Sequence, residues 1–170
     1  IVLAIIGTLT AVVLPSFFSM LPGIYLKGAV QQLYSDLQRA KIEAINAGCM
    51  ECLMLNHKGE VAEASGDNVF VVKNGILSTP PVTCGALEGL TRNKVIEIAR
   101  KVGYEVREIP LGRYDLYVAD EVFLTGTAAE IISVVDVDKR VIGDGKPGKV
   151  VGDLAARYAA CANAEGTPIE

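Results

Sequence analysis

The chain has a single histidine, His57, only four cysteines and no basic run, and each scarcity removes a class of function. A formal charge of −4 with mixed signs, and no aromatic stripe on which bases could stack, argue against a nucleic-acid surface. Cys49, Cys52, Cys84 and Cys161 do not make a disulfide framework in a chain of 170 residues. Only Cys49-x-x-Cys52 has metal or redox spacing. A closed zinc site would need two more ligands, and there is no second cysteine pair to supply them. The pair leads into the strand-like CLMLN rather than a helix N-terminus, so two ordinary thiols and no metal are expected. Internal repeats, low-complexity segments and a linker rich in proline or serine are also absent.

Charge is missing altogether from residues 1–26, and Lys27 is the first charged side chain. A segment of that length can span a bilayer, although Pro15 and Pro22 interrupt it and Gly7 and Gly23 loosen it. No basic segment precedes it and no small-residue cleavage site follows, which argues against a secretion signal. A buried core helix is the alternative. Beyond Gly23, Leu26, Val30, Leu33, Leu37, Ala40 and Ala44 recur at helical spacing, with Asn46 and Gly48 as the stop. The expected organisation is a helix over 1–48, its first 26 residues an anchor, and a domain over 49–170.

With 51% apolar residues there is ample material for a core. Strands are predicted at 53–56 and 60–64 around a His57-Lys58-Gly59 turn, and 68–73 pairs with 76–79 across Asn74-Gly75. Pro80-Pro81 ends that hairpin. Thr91 is placed as the cap of a helix running to Val102, in which Val95, Ile96, Ile98, Ala99 and Val102 share a face. A strand over 104–111, a short helix over 113–118 and a last helix over 151–162 follow. The fold expected over about 49–150 is α+β, a curved mixed sheet with the Thr91 helix packed on it.

The organising stretch is VFLTGTAAEIISVV, residues 122–135. Two β-branched runs flank Thr125, Gly126, Thr127, Ala128 and Ala129, so one strand should enter a small-residue turn and another leave it. Such a turn frees amides and hydroxyls to face an anion, and a plain hairpin accounts for the same glycine.

Four segments in fixed order carry a resemblance: VAEASGDNVFVVKNGILSTPP, GALEGLTRNKVIEIARKVGYEVRE, RYDLYVADEVFLTGTAAEI and VIGDGKPG. Together they closely resemble the C-terminal lobe of class IV pyridoxal-phosphate aminotransferases, the branched-chain amino-acid enzymes in particular, over about residues 38–148. The resemblance implies pyridoxal phosphate as cofactor, with amino-acid and 2-oxo-acid substrates, 2-oxoglutarate among them. It implies Glu63 facing the pyridine nitrogen, and the backbone at Leu90 and Thr91 with Gly126 and Thr127 holding the phosphate. Thr127 and Ala128 would meet the substrate carboxylate, and Tyr34 the phenolic oxygen.

A lysine is expected four or five residues ahead of that tyrosine, where Ala29 and Val30 stand. Lys27 is the nearest amine, and a helix turns about 100° per residue, so it should point elsewhere. A lobe without its lysine and without the family's first lobe is expected to be inactive alone and to bind the cofactor weakly or not at all.

Residues 1–45, IVLAIIGTLTAVVLPSF followed by YLKGAVQQLYSDLQRAKIEAI, resemble the N-terminal helix of type IV pilin-like proteins, the minor pseudopilins of type II secretion. That resemblance implies a structural subunit, in the membrane or a surface filament, whose partners through 1–45 are the membrane or other pilin-like chains. The chain begins without methionine, and a truncated start would explain the absent leader and early glutamate. The aminotransferase resemblance implies a cytoplasmic protein instead, and self-association suits both readings. The two resemblances meet at residues 34–48, as a splice within one shared helix would.

Overall fold

The computed structural model describes residues 2–46 and 48–164, without the side chains of 2–20 and of Leu37. Two units divide the chain, Ile1–Met50 and Glu51–Glu170. The first contains one helix, α1 (Val2–Asn46). It ends in a left-handed glycine: Gly48 has φ 78°, its N–H donates to the Ile45 carbonyl, and the Cys49 N–H donates to that of Ala44. The helix continues through Pro15 and Pro22, although a proline inside a helix removes an amide donor and crowds the preceding turn. Among the described residues no helix is long and apolar enough to cross a membrane. The anchor expected over 1–26 falls mostly on residues whose side chains lie outside the described ones. From residue 21 onward Lys27, Asp36, Arg39, Lys41 and Glu43 break up the apolar sequence, and the side chains of 2–20 lie outside the described residues.

The second unit begins with an antiparallel pair, β1 (Leu53–Leu55) and β2 (Val61–Ala64). β3 (Asn68–Lys73) and β4 (Ile76–Thr79) form the hairpin that Asn74-Gly75 predicts, with both turn residues at positive φ as such a tight turn requires. After a 3-10 turn at Val82–Cys84 come α2 (Leu90–Lys101), β5 (Glu105–Glu108) and α3 (Arg113–Tyr117). β6 (Glu121–Gly126) and β7 (Glu130–Val134) flank the small-residue turn. The pair β8 (Asp136–Val137) and β9 (Arg140–Val141) precedes α4 (Lys149–Ala164).

The main sheet has the order β5-β4-β3-β6-β7, with β4 and β5 parallel and the other pairs antiparallel. Its central strands are apolar on both faces because both are covered. Phe70 and Val72 of β3 and Phe123 of β6 point toward α2 and α4, meeting Val95, Ala99, Val151 and Leu154. The Phe70 and Phe123 rings stack with centroids 4.9 Å apart. Val69, Val71, Val122 and Leu124 alternate to the other face, against Val61, Leu111, Leu116 and Ile142.

Two expectations shift. α2 takes Gly89 as its N-cap, the Asn93 N–H bonding the Gly89 carbonyl, so Thr91 lies inside the first turn and is not the cap. Its hydroxyl is instead 3.4 Å from that of Tyr158 on α4. Val102 is the C-cap and 37% exposed, which removes it from the buried face.

Candidate functional site

On the α2 side of the sheet the apolar alternation gives out at one end. Asn68 precedes Phe70 and Val72 on that face of β3, and Thr125 follows Phe123 on β6; the two are cross-strand partners. Opposite them stands the first turn of α2, whose N-cap glycine has no side chain to bond the free amides. Where the polar end of the sheet meets that helix end, a cavity of about 400 Å³ opens.

Glu63, Leu90, Thr91, Gly126 and Thr127 all line this cavity. They come from β2, the first turn of α2 and the β6–β7 turn, segments far apart in sequence that the sheet brings to one end. Ala128 is exposed in the same turn but is not among the lining residues. Tyr34 and Lys27, with Ala29 and Val30, belong to α1 in the other unit.

Glu63 is held by two donors on one carboxylate oxygen. The Leu87 N–H lies 2.8 Å from Oε2, and the Asn68 Nδ2 lies 3.2 Å from the same atom. Charge-assisted bonds of this kind fix the carboxylate plane. Thr125, 1% exposed, has an Oγ1 with no hydrogen-bond partner among the described residues. No lysine or arginine is among the described residues lining the cavity. An anion there would rest on amides, hydroxyls and the positive end of α2.

Arg92, one residue past Thr91 and 2% exposed, fastens the helix start from outside the cavity. Its guanidinium donates to the Pro80 carbonyl and the Glu108 carboxylate, both at 3.0 Å. The Arg92 bond, reinforced by Arg100, holds the Glu108 carboxyl below its ordinary value against the opposing effect of partial burial. Asn68 and Arg92 escaped the sequence reading, whereas Thr125 entered it as part of the small-residue turn. Asn68 had a signal in the EASGDN segment, whereas a buried arginine has none until β5 is seen to supply its carboxylate.

These residues fit pyridoxal phosphate at two of its ends. A fixed carboxylate suits a protonated ring nitrogen; open amides and an unpartnered buried hydroxyl suit a phosphate. The α+β fold and this donor set define a lobe of the aminotransferase type. The family model for amino-transferase class IV matches residues 10–137, and the chain belongs to that family. Among curated relatives, a putative branched-chain-amino-acid aminotransferase of Methanocaldococcus jannaschii is 48% identical over 139 residues, 81% of this chain and 48% of that one. The branched-chain-amino-acid aminotransferase of Pseudomonas aeruginosa is 42% identical over 125 residues, 74% of this chain and 40% of its own.

In three dimensions the chain resembles the branched-chain amino acid aminotransferase from Escherichia coli with a TM-score of 0.73 and 42% identity, over 75% of this chain and 43% of that one. The branched-chain amino acid aminotransferase from Thermobaculum terrenum, in its holo form with pyridoxal phosphate, gives 0.71 and 42%, over 74% and 41%. The chain spans about half the length of the curated relatives or less. Because the family match spans residues 10–137 and so includes 34–48, most of the segment read as pilin-like lies inside the aminotransferase family. The pseudopilin partner, the splice and the filament reading are corrected. Apolar helical periodicity is common to both families and could not separate them.

Proposed function

We propose that this chain carries the cofactor-holding lobe of a pyridoxal-phosphate aminotransferase for branched-chain amino acids, with a 2-oxo acid such as 2-oxoglutarate as the acceptor. The observation that carries this reading is the convergence, on one cavity, of the pinned Glu63 carboxylate, the uncapped α2 N-terminus and the Gly126 turn. When bound, pyridoxal phosphate supplies an electron sink through which an amino group moves between an amino acid and a 2-oxo acid.

Glu63 would accept the proton-bearing ring nitrogen and keep that proton in place. The amides of Leu90 and Thr91, with Gly126 and Thr127, would hold the phosphate. Thr127 and Ala128 would receive the substrate carboxylate from the tip of the same turn. The positions at which the resemblance expects the reactive amine carry Ala29 and Val30, which can neither anchor the cofactor covalently nor shuttle a proton. The binding proposed is therefore non-covalent and weak, and the chain alone does not turn over.

Titration of the full chain with pyridoxal 5'-phosphate tests this. Binding should be competed by inorganic phosphate, and Glu63→Gln should weaken it about tenfold, the loss of one charge-assisted bond. Equal binding of pyridoxal lacking its phosphate, or an unchanged affinity in the variant, would sink the reading.

A further inference from the structure

The two glycines at the phosphate end are not there for backbone freedom. Gly89 has φ −71° and ψ 140°, an extended conformation open to any residue, and Gly126 is an ordinary β6 position. What each lacks is room. A Cβ on Gly89 would overlap Asn68 Oδ1, and a Cβ on Gly126 would overlap Asp67 Oδ1. One dipeptide at the start of β3 thus lies against both segments that supply donors to the cavity.

Asn68 is the better defined of the pair. It is 6% exposed, and its Nδ2 donates both to Glu63 Oε2 at 3.2 Å and to the Leu87 carbonyl at 2.9 Å. The Leu87 N–H closes the triangle onto Glu63 Oε2. One amide thereby ties the acid at one end of the cavity to the loop that delivers α2 at the other. Burial makes the arrangement stringent on the Asn68 side, since its amide, 6% exposed, has both of these acceptors to satisfy it.

We propose that Asn68 is a positioning residue that sets the Glu63 carboxylate and the α2 N-terminus in register with each other, Gly89 being the space its side chain requires. The proposal deepens the cofactor reading and rests on it for its functional meaning, but its geometry can be tested without ligand. In the ligand-free chain, Asn68→Ala should raise amide hydrogen exchange at Leu87 and Asn93 about tenfold, equivalent to one lost buried bond, while Val95 and Ala99 in the same helix keep their protection.

The steric pairing gives a second arm. Gly89→Ala should perturb the same amides in the wild-type background and have less than a twofold further effect once Asn68 is alanine, because its clash partner is gone. In ligand titrations Asn68→Ala should weaken both inorganic phosphate and pyridoxal 5'-phosphate, whereas Glu63→Gln weakens only the latter. Unchanged exchange at Leu87, or additive Gly89 and Asn68 effects, overturns the positioning role whatever binds. Altered exchange in a chain that binds neither ligand leaves the positioning role standing and refutes the cofactor reading.

Discussion

At Arg92 a single side chain carries more of the site than its neighbours in sequence suggest. The guanidinium is desolvated and depends on Glu108, whose carboxylate also meets Arg100 at 3.2 Å. Because Glu108 is 38% exposed, solvent screens the pair, and its worth is about 1 kcal/mol rather than that of a fully buried pair. The folded-state value of Glu108 lies below the ordinary 4.5, so this stability is fully present above 4.5 and is lost as pH falls through the folded value. Urea unfolding between pH 6 and 3 should show the wild type losing about 1 kcal/mol more than Glu108→Gln. Parallel pH profiles would remove the pair from the account. Glu63, Thr91, Gly126 and Thr127 could be named from their motifs because a motif states residue type and spacing. Arg92 and Asn68 could not, since what marks them is burial and the partners each has, and Thr125 was named only as a turn residue, without the burial that leaves its hydroxyl unpartnered.

The two helices on one face of the sheet start in opposite ways, and the difference locates the cavity. Glu121, at the first position of β6, reaches the N-terminus of α4, where Oε1 accepts from Val150 N–H at 3.1 Å and Oε2 from Val151 N–H at 2.9 Å. Gly148 gives that carboxylate its room, since a Cβ there would overlap it. At the other end of β6, the start of α2 has no side-chain cap and opens onto the cavity. Glu121→Ala should therefore cost about 1–2 kcal/mol in thermal or urea unfolding, as loss of a cap does. Gly148→Ala should cost a similar ~1–2 kcal/mol by displacing the same group. A change below measurement in Glu121→Ala would show that solvent caps α4 equally well. Element types were readable from alternation, the Asn-Gly turn and the apolar face of α2. Their boundaries were less so: β5 stops at Glu108, where the Ile109 N–H turns to Thr79 and Pro110 can offer no donor.

For the whole chain the decisive question is where a reactive amine could come from. Among the described residues, those lining the cavity include no lysine, and positions 29 and 30 of α1 carry none. Mixing the full chain with pyridoxal 5'-phosphate, reducing with borohydride and mapping peptides by mass should reveal no stoichiometric pyridoxyl-lysine. Assays with leucine, isoleucine or valine and 2-oxoglutarate should show no turnover. A stoichiometric adduct on Lys27 would overturn both expectations and the register taken from Tyr34.

The sequence by itself determined the α+β class, the Asn74-Gly75 hairpin, the amphipathic α2 and the residue types a phosphate-binding turn needs, because these follow from local periodicity and backbone chemistry. It read residues 1–45 as pilin-like where the aminotransferase family match covers 10–45, since apolar helical spacing is shared by unrelated helices and says nothing about what covers them. Only the tertiary structure decided that Gly89 and Gly126 are small to admit Asn68 and Asp67, that Thr91 is not a cap, and that β2, α2 and β6 end at one cavity. Those facts depend on which strands pair and at what register, and no stretch of sequence contains both partners of such a contact.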